Sequence, residues 1–469
     1  MLTNVSFQWP DIHNLCNMQI PDLLIRKYNV PVPRYTSYPT VPLWENNIPS
    51  SDDWLKQVKK TFNESNADQG ISLYIHLPYC ESLCTYCACN TRITKNHHVE
   101  RPYIESLLKE WDTYLCAFGD MPVIRELHLG GGTPTFFSAE NLRYLIEGIL
   151  SSSRLHSRYT FSFEGHPNNT GYGHLKTLYE LGFRRVSYGV QDLDLKVQET
   201  INRVQPYENV VRATEDARRL GYDSVNFDLV YGLPFQSQES VRNTVEKVLA
   251  LRPERIAYYS YAHVPWKRPG QRAYTEEDLP SDSTKRELYE LGKMLLTDQG
   301  YVDVGMDHFA LPGDGLYKAC QNKTMHRNFM GYTEAATDLL IGLGTSAISD
   351  AGYAYAQNNK KVENYQREIE TGKLALEKGH LLSEDDLEIR RKILDISCRG
   401  ELSWKSDAPD LSVQTELNTM AEEGLIEWSS EGFKVTRLGM AFLRNICSVF
   451  DQRMRRKQNS DQPLFSKAI

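Results

Sequence analysis

Residues 72–90 read SLYIHLPYCESLCTYCACN. The first six alternate and favour β structure, the pattern of a strand. Directly behind them come Cys80, Cys84, Cys87 and Cys89, spaced C-x3-C-x2-C-x-C. Three thiolates at the first three positions can converge on one small inorganic core from a single loop, as in iron–sulfur clusters. A [4Fe–4S] core has four irons, so three ligands leave one iron open to an outside molecule. Structural zinc is the weaker alternative. It wants four ligands, usually in two separated pairs; no second pair is present, and Cys89 lies awkwardly close to Cys87 to close the same site.

Outward from this segment, strands and helices alternate. Further strands are expected at Glu126–Leu129, Tyr159–Phe163, Arg185–Gly189, Ser224–Val230 and Arg255–Ala262, with room for one more at Tyr301–Val304. Between them, apolar residues at helical spacing mark Tyr103–Cys116, Ala139–Leu150, His174–Leu181, Val210–Leu220 and Val241–Leu251. Alternation of this kind implies a parallel sheet with right-handed crossovers. The fold class expected is α/β, an open or partial β/α barrel; a doubly wound sheet competes. Each strand runs into polar or glycine chemistry: Cys80, Gly130–Thr133, Glu164, Gln191, Asp228 and Ala262–His263. Ligands of parallel β/α folds sit at the carboxyl ends of strands, so these residues point to one shared pocket.

Three regions are expected: an N-terminal arm (1–70), the barrel (71–375) and a C-terminal module (376–469). The arm holds VPVPRYTSYPTVP, which cannot be regular helix because proline removes a backbone donor and restricts its predecessor. In the module, helices at Asp385–Ser397 and Val413–Glu422 precede a hairpin around Ser429–Gly432, resembling a winged helix. Fold alone does not give function. The stretch carries little positive charge, so a lid or packing role is favoured over DNA binding. The net charge of −8 likewise argues against broad affinity for nucleic acid, which needs excess Lys and Arg. The basic run Arg453, Arg455, Arg456, Lys457 reads as a solvated surface helix or tail. No run of about 18 apolar residues suggests a membrane span, and the polar N-terminus lacks a signal-peptide pattern. A cytoplasmic location is therefore expected. Four of the nine cysteines cluster within ten residues, which suits metal binding or catalysis better than a disulfide framework. Cys116 and Cys447 are expected to be buried packing residues.

The cysteine spacing, with aromatic Tyr86 before the third cysteine, resembles the radical S-adenosylmethionine superfamily. Gly130-Gly131-Gly132-Thr133-Pro134 resembles its glycine motif. The resemblance narrows along the chain. PRYTSYPT (33–40), YIHLPYCESLCTYCACN (74–90), GVQD (189–192), FDLVYGLP (227–234), YAHVP (261–265), GMDHFA (305–310) and HRNFMGYT (326–333) together resemble the family of oxygen-independent coproporphyrinogen III oxidases. The resemblance implies a [4Fe–4S] cluster on Cys80, Cys84 and Cys87, and two S-adenosylmethionine molecules. Tyr74, Gly131, Glu164 and Ile348 match positions that hold the cluster-bound molecule. Tyr86, Gly132, Thr133, Gln191, Arg203, Asp228 and Ala262 match positions around the second. The types make chemical sense: carboxylates accept from ammonium or hydroxyl groups, and Arg203 can pair with a carboxylate in a forked geometry.

Cys89 also matches the family, with a proton-donor or substrate-side role as its working assignment. Two departures stand out. GHPNNT follows Glu164 in place of a different dipeptide before the proline, and Tyr86 stands where phenylalanine is common. The implied reaction converts two propionates of coproporphyrinogen III to vinyl groups through a 5′-deoxyadenosyl radical, giving protoporphyrinogen IX. It needs an unidentified electron donor and acceptor, and implies a monomer. The substrate carries four carboxylates, so Arg34, His308, His326 and Arg327 are candidate lining residues. The rival readings are a haem-trafficking paralogue without oxidase activity and an iron–sulfur regulator that binds DNA.

Overall fold

The computed structural model describes residues 20–45, 49–404, 410–457 and 464–467. Cys16 and the first part of the arm lie outside the described residues. The expected strands form as β1 (Ile71–Leu77), β2 (Val123–Gly131), β3 (Arg154–Gly165), β4 (Phe183–Gln191), β5 (Ser224–Tyr231) and β6 (Arg255–Ser260). They continue as β7 (Val302–Gly305), β8 (His308–Ala310), β9 (Leu340–Leu343), β10 (Ile348–Asp350), β11 (Ala354–Asn358) and β12 (Leu376–Leu381). All twelve belong to one sheet, ordered β12-β11-β10-β9-β1-β2-β3-β4-β5-β6-β8-β7.

From β9 through β6 the strands run parallel. Strands β1 to β6 lie side by side in chain order, so the right-handed crossovers place their helices on one face and the sheet curls with helices outside. From β1 to β6 the order runs without reversal, and the next parallel strand, β9, joins the free side of β1, as closure towards a barrel requires. The β/α-barrel expectation holds. Two details differ. The Tyr301–Val304 segment becomes β7, which pairs antiparallel with β8 at the far edge and is not a further parallel strand. The seventh parallel strand is β9, LIGL, a fully buried run too short to show a period.

The crossover helices bury regular stripes. In α1 (Glu100–Phe118), Tyr103, Ile104, Leu107, Trp111, Tyr114 and Phe118 face the core. Cys116 is two residues from both Tyr114 and Phe118, which turns it away from that stripe. It is exposed, contrary to the buried role expected of it, whereas Cys447 is buried. In α2 (Ala139–Leu150), the Ser138 hydroxyl accepts the Asn141 N–H and starts the helix. Its Leu142, Leu145, Ile146 and Ile149 are all fully buried, each contributing about 1.5–3 kcal/mol.

The C-terminal module has the expected order. Helices α3 (Glu384–Arg399) and α4 (Leu411–Glu422) flank a short strand, β13 (Glu401–Ser403), and lead to the hairpin β14 (Ile426–Ser429) and β15 (Gly432–Val435). The three strands form a separate sheet, with β15 in the middle. The arm is part of this module's core: Leu24, Tyr28, Tyr35 and Tyr38 pack with Ile389, Ile393, Phe433 and Phe450. The basic run is neutralised in part, Arg453 pairing with Asp386 and Glu45 and Arg455 with Glu416. Among the described residues, no helix is long and apolar enough to cross a membrane.

Candidate active site

The cysteine loop leaves the carboxyl end of β1 and closes on itself. Arg92 N–H donates to Pro78 O at 2.8 Å and Thr94 N–H to Cys80 O at 2.9 Å. Within it, Cys87 N–H reaches Cys84 O at 3.1 Å. The segment after β4 pins its outer side: Thr85 N–H donates to Ile201 O (2.9 Å) and Asn202 Nδ2 to Leu83 O (2.7 Å). So braced, Cys80, Cys84, Cys87 and Cys89 line a cavity of about 790 Å³ inside the barrel. Gly131, Gly132, Thr133, Glu164, Gln191, Arg203, Asp228 and Tyr86 line the same cavity. Strand ends scattered across the chain thus meet in one place.

The glycine run packs tightly under this loop. Gly131 has φ +119°, and a Cβ there would meet the His76 ring at 2.9 Å. A Cβ on Gly132 would lie 2.5 Å from Pro78 O. Glycine is required here because the β2 turn docks against the stem of the cysteine loop.

The charges are arranged around the thiols. Arg203 is half-buried beside the loop, with Nη1 3.5 Å from Cys84 Sγ and Nη2 donating to Gly189 O. Its Nε is buried with no partner. Thr133 Oγ1 lies 3.3 Å from Cys80 Sγ. Burial pushes the Cys80 thiol up to about 11. Cys87 is brought down to about 6, chiefly by its hydrogen bond with the Cys89 thiol, and Cys89 is raised by that same bond. Among the described residues no three His, Cys, Asp or Glu side chains converge on a single-ion site. A four-iron core, which takes one thiolate per iron, needs no such convergence. Three thiols on one loop, a guanidinium beside them and an unpartnered N–H fit a [4Fe–4S] cluster with a carboxylate-bearing ligand.

Deeper in the barrel, side chains of like parity on neighbouring strands form a polar layer. Ser187 Oγ and Asn226 Nδ2 each donate to Asp228 at 2.9 Å. His128 lies 2.8 Å from Ser162 Oγ and 3.5 Å from Glu164 Oε1. Burial, then the neighbouring Glu164, pushes Asp228 up to about 6. His166, from the unusual GHPNNT segment, also lines the cavity. Its Nδ1 accepts the Asn168 N–H at 3.2 Å, and burial with Arg203 nearby lowers it to about 2. His128, Ser187 and Asn226 were not singled out from the sequence. The signal was available: each is a polar residue at an inward position of a strand that ends in a site residue.

Three expected residues do not line the cavity. Tyr74 stacks beside His128, which does line it, and its hydroxyl lies 3.0 Å from His76 Nδ1. It pairs with Gly342 of β9, and Ile348 O of β10 packs over that glycine, so Tyr74 and Ile348 share one row. Ala262 follows β6 and is tied to the cysteine loop through Gln271. Among the candidate lining residues, His308 is in the cavity wall, where burial and Arg327 lower it to about 4. Arg34 is not; it pairs with Asp307 at 2.8 Å. His326 and Arg327 are also outside, and Arg327 donates to Arg34 O. These three fail as wall residues because the arm and the 326–333 hairpin pack on each other.

A curled parallel sheet with an open three-thiol loop at the end of its first strand defines a radical S-adenosylmethionine enzyme, and a profile of the radical SAM superfamily matches residues 74–248. The oxygen-independent coproporphyrinogen III oxidase of Pseudomonas aeruginosa is 37% identical over 440 residues, covering 92% of this chain and 95% of that protein. The enzyme of that name from Escherichia coli K12 is 35% identical, covering 95% and 98%. The solved structure of coproporphyrinogen III oxidase (HemN) from Escherichia coli, described as a radical SAM enzyme, superposes with a TM-score of 0.86 at 33% identity, covering 93% of this chain and 100% of that one. The chain belongs to the family of oxygen-independent coproporphyrinogen III oxidases.

Proposed function

We propose that the protein converts coproporphyrinogen III to protoporphyrinogen IX without oxygen, by oxidative decarboxylation of two propionates to vinyl groups. The observation that carries this reading is the single cavity shared by the three thiols and the ends of β2 to β5. The cofactors are a [4Fe–4S] cluster and S-adenosylmethionine, which together supply a 5′-deoxyadenosyl radical able to take a hydrogen from the propionate.

The chain's own residues hold and orient. Cys80, Cys84 and Cys87 are the proposed cluster ligands. Tyr74, Gly131, Glu164 and Ile348 are assigned to the cluster-bound S-adenosylmethionine. Tyr86, Gly132, Thr133, Gln191, Arg203, Asp228 and Ala262 are assigned to a second one. Arg203 supplies a fixed positive charge and a free N–H for a carboxylate. Asp228, already accepting from Ser187 and Asn226, is a rigid acceptor for hydroxyls. The barrel wall would limit the access of water and fix the orientation of a propionate held in the cavity. Cys89 is proposed to act on the substrate side of the cluster. A cytoplasmic monomer, with an unidentified electron donor and acceptor, belongs to the same reading.

The test is anaerobic turnover of coproporphyrinogen III with S-adenosylmethionine and a reductant. The divinyl product, methionine and 5′-deoxyadenosine are all expected. Cleavage of S-adenosylmethionine without change in the porphyrinogen would identify a haem-trafficking relative. Zinc without iron or sulfide in anaerobically purified protein would refute the enzyme reading outright.

A further inference from the structure

Between β6 and the following helix (Asp282–Asp298), the segment 262–273, which ends in the 3-10 turn Pro269–Ala273, packs against the cysteine loop. Half of this segment is exposed, Trp266, Lys267 and Arg272 among it. Gln271 is the exception, with no exposed surface. Its Oε1 accepts the Val264 N–H at 2.6 Å. Its Nε2 donates to Tyr86 O and to Ala262 O, each at 3.2 Å. One carboxamide thus ties three backbone points together. Tyr86 lies between the second and third cysteines, and Ala262 follows β6.

Two neighbours bring the same loop onto the cysteine loop. Arg268 Nη2 donates to Ala88 O. Gly270 sits so close that a Cβ there would lie 3.2 Å from Thr85 O. A buried amide with this bonding is not apolar packing. Its donors and acceptor are spent on fixing where two segments stand relative to each other.

We infer that Gln271 is a positioning residue, which couples the second S-adenosylmethionine site to the cluster loop by holding the Tyr86 and Ala262 backbones in register. The inference rests on the two-site reading above. A residue that merely stabilises the loop would change melting temperature and leave ligand stoichiometry alone. Gln271 acts instead on the second site while the cluster and the first site stay intact.

The test uses reconstituted holoenzyme carrying Gln271→Glu. This variant keeps the size and the acceptor for Val264, and loses both N–H donors. A second variant, Gly270→Ala, leaves the amide in place and pushes the loop off Thr85 by a few tenths of an ångström. Iron content, S-adenosylmethionine bound per chain by anaerobic equilibrium dialysis, the change that S-adenosylmethionine makes in the EPR signal of the reduced cluster, and KM against kcat are compared. Both variants are expected to keep full iron and the EPR change. Bound S-adenosylmethionine should fall from two per chain towards one. KM for S-adenosylmethionine should rise at least tenfold in Gln271→Glu and less in Gly270→Ala. Two molecules bound by wild type and by both variants, with KM within twofold, would overturn the inference alone. Loss of iron or of the EPR change would overturn it by making Gln271 a prop of the cluster. One molecule bound by wild type would overturn the two-site reading and this inference with it.

Discussion

Asp228→Asn should make the cluster-free protein more stable and the enzyme less active. Asp228 lines the cavity as a half-buried side chain, and its carboxyl is pushed from its ordinary 3.8 up to about 6, by desolvation first and by Glu164 second. Between those two values the native state binds more protons than the unfolded chain. Stability therefore falls as pH rises through this window, and the loss is complete above pH about 6. At about 1.4 kcal/mol per pKa unit, the charge costs about 3 kcal/mol at neutral pH. Asparagine has nearly the same shape, and its carbonyl can still accept from Ser187 or Asn226. For 469 residues, an unfolding entropy of about 2 cal/mol/K per residue converts that to a melting temperature about 3 °C higher. The assay is thermal and urea unfolding of apoprotein from pH 4 to 8, wild type against variant. Wild type should weaken between pH about 4 and 6 relative to the variant, and the gap should stay constant above that. Turnover of the reconstituted variant should fall at least tenfold, since an amide replaces a charged acceptor. A variant of unchanged stability, with a wild-type pH profile, would refute the claim that this charge is held against its own burial cost.

The remaining predictions concern the cysteine loop and its support. Serine at Cys80, Cys84 or Cys87 should each lower iron and sulfide content of anaerobically reconstituted protein to a small fraction of wild type; serine at the exposed Cys116 should leave both unchanged. Cys89→Ser should keep the cluster and lose turnover of coproporphyrinogen III, and undiminished turnover would make Cys89 no more than a small neighbour of the cluster. Gly132→Ala forces a Cβ to within 2.5 Å of a backbone carbonyl, so about 1–3 kcal/mol of stability should be lost, with poorer iron retention, measurable by urea unfolding and metal analysis.

The sequence carried most of the barrel because its signals are local. Alternating β-rich segments and helical stripes recur often enough to read β1 to β6 in order, and sequential order is what makes a singly wound sheet curl. Strand β9 escaped because four apolar residues have no period to detect. Cys116 was misjudged because a helical apolar pattern two residues out of phase looks alike on paper and points elsewhere in space. Arg34, His326 and Arg327 drew attention as charges near a site that binds carboxylates, yet their positions depend on the arm docking against the 326–333 hairpin. That contact joins residues nearly three hundred positions apart, and no short pattern reports it.

The opening cysteines show the same division. Their spacing by itself pointed to a shared inorganic core, because three thiolates on one short loop can reach one core whatever the rest of the chain does. Only the tertiary structure decided what surrounds that core. Arg203 beneath Cys84, the polar layer of Ser187, Asn226 and Asp228, and the Gln271 strap come from segments far apart in the chain. They meet because parallel strands in sequential order bring their carboxyl ends to one mouth, and that convergence exists only once the sheet has formed.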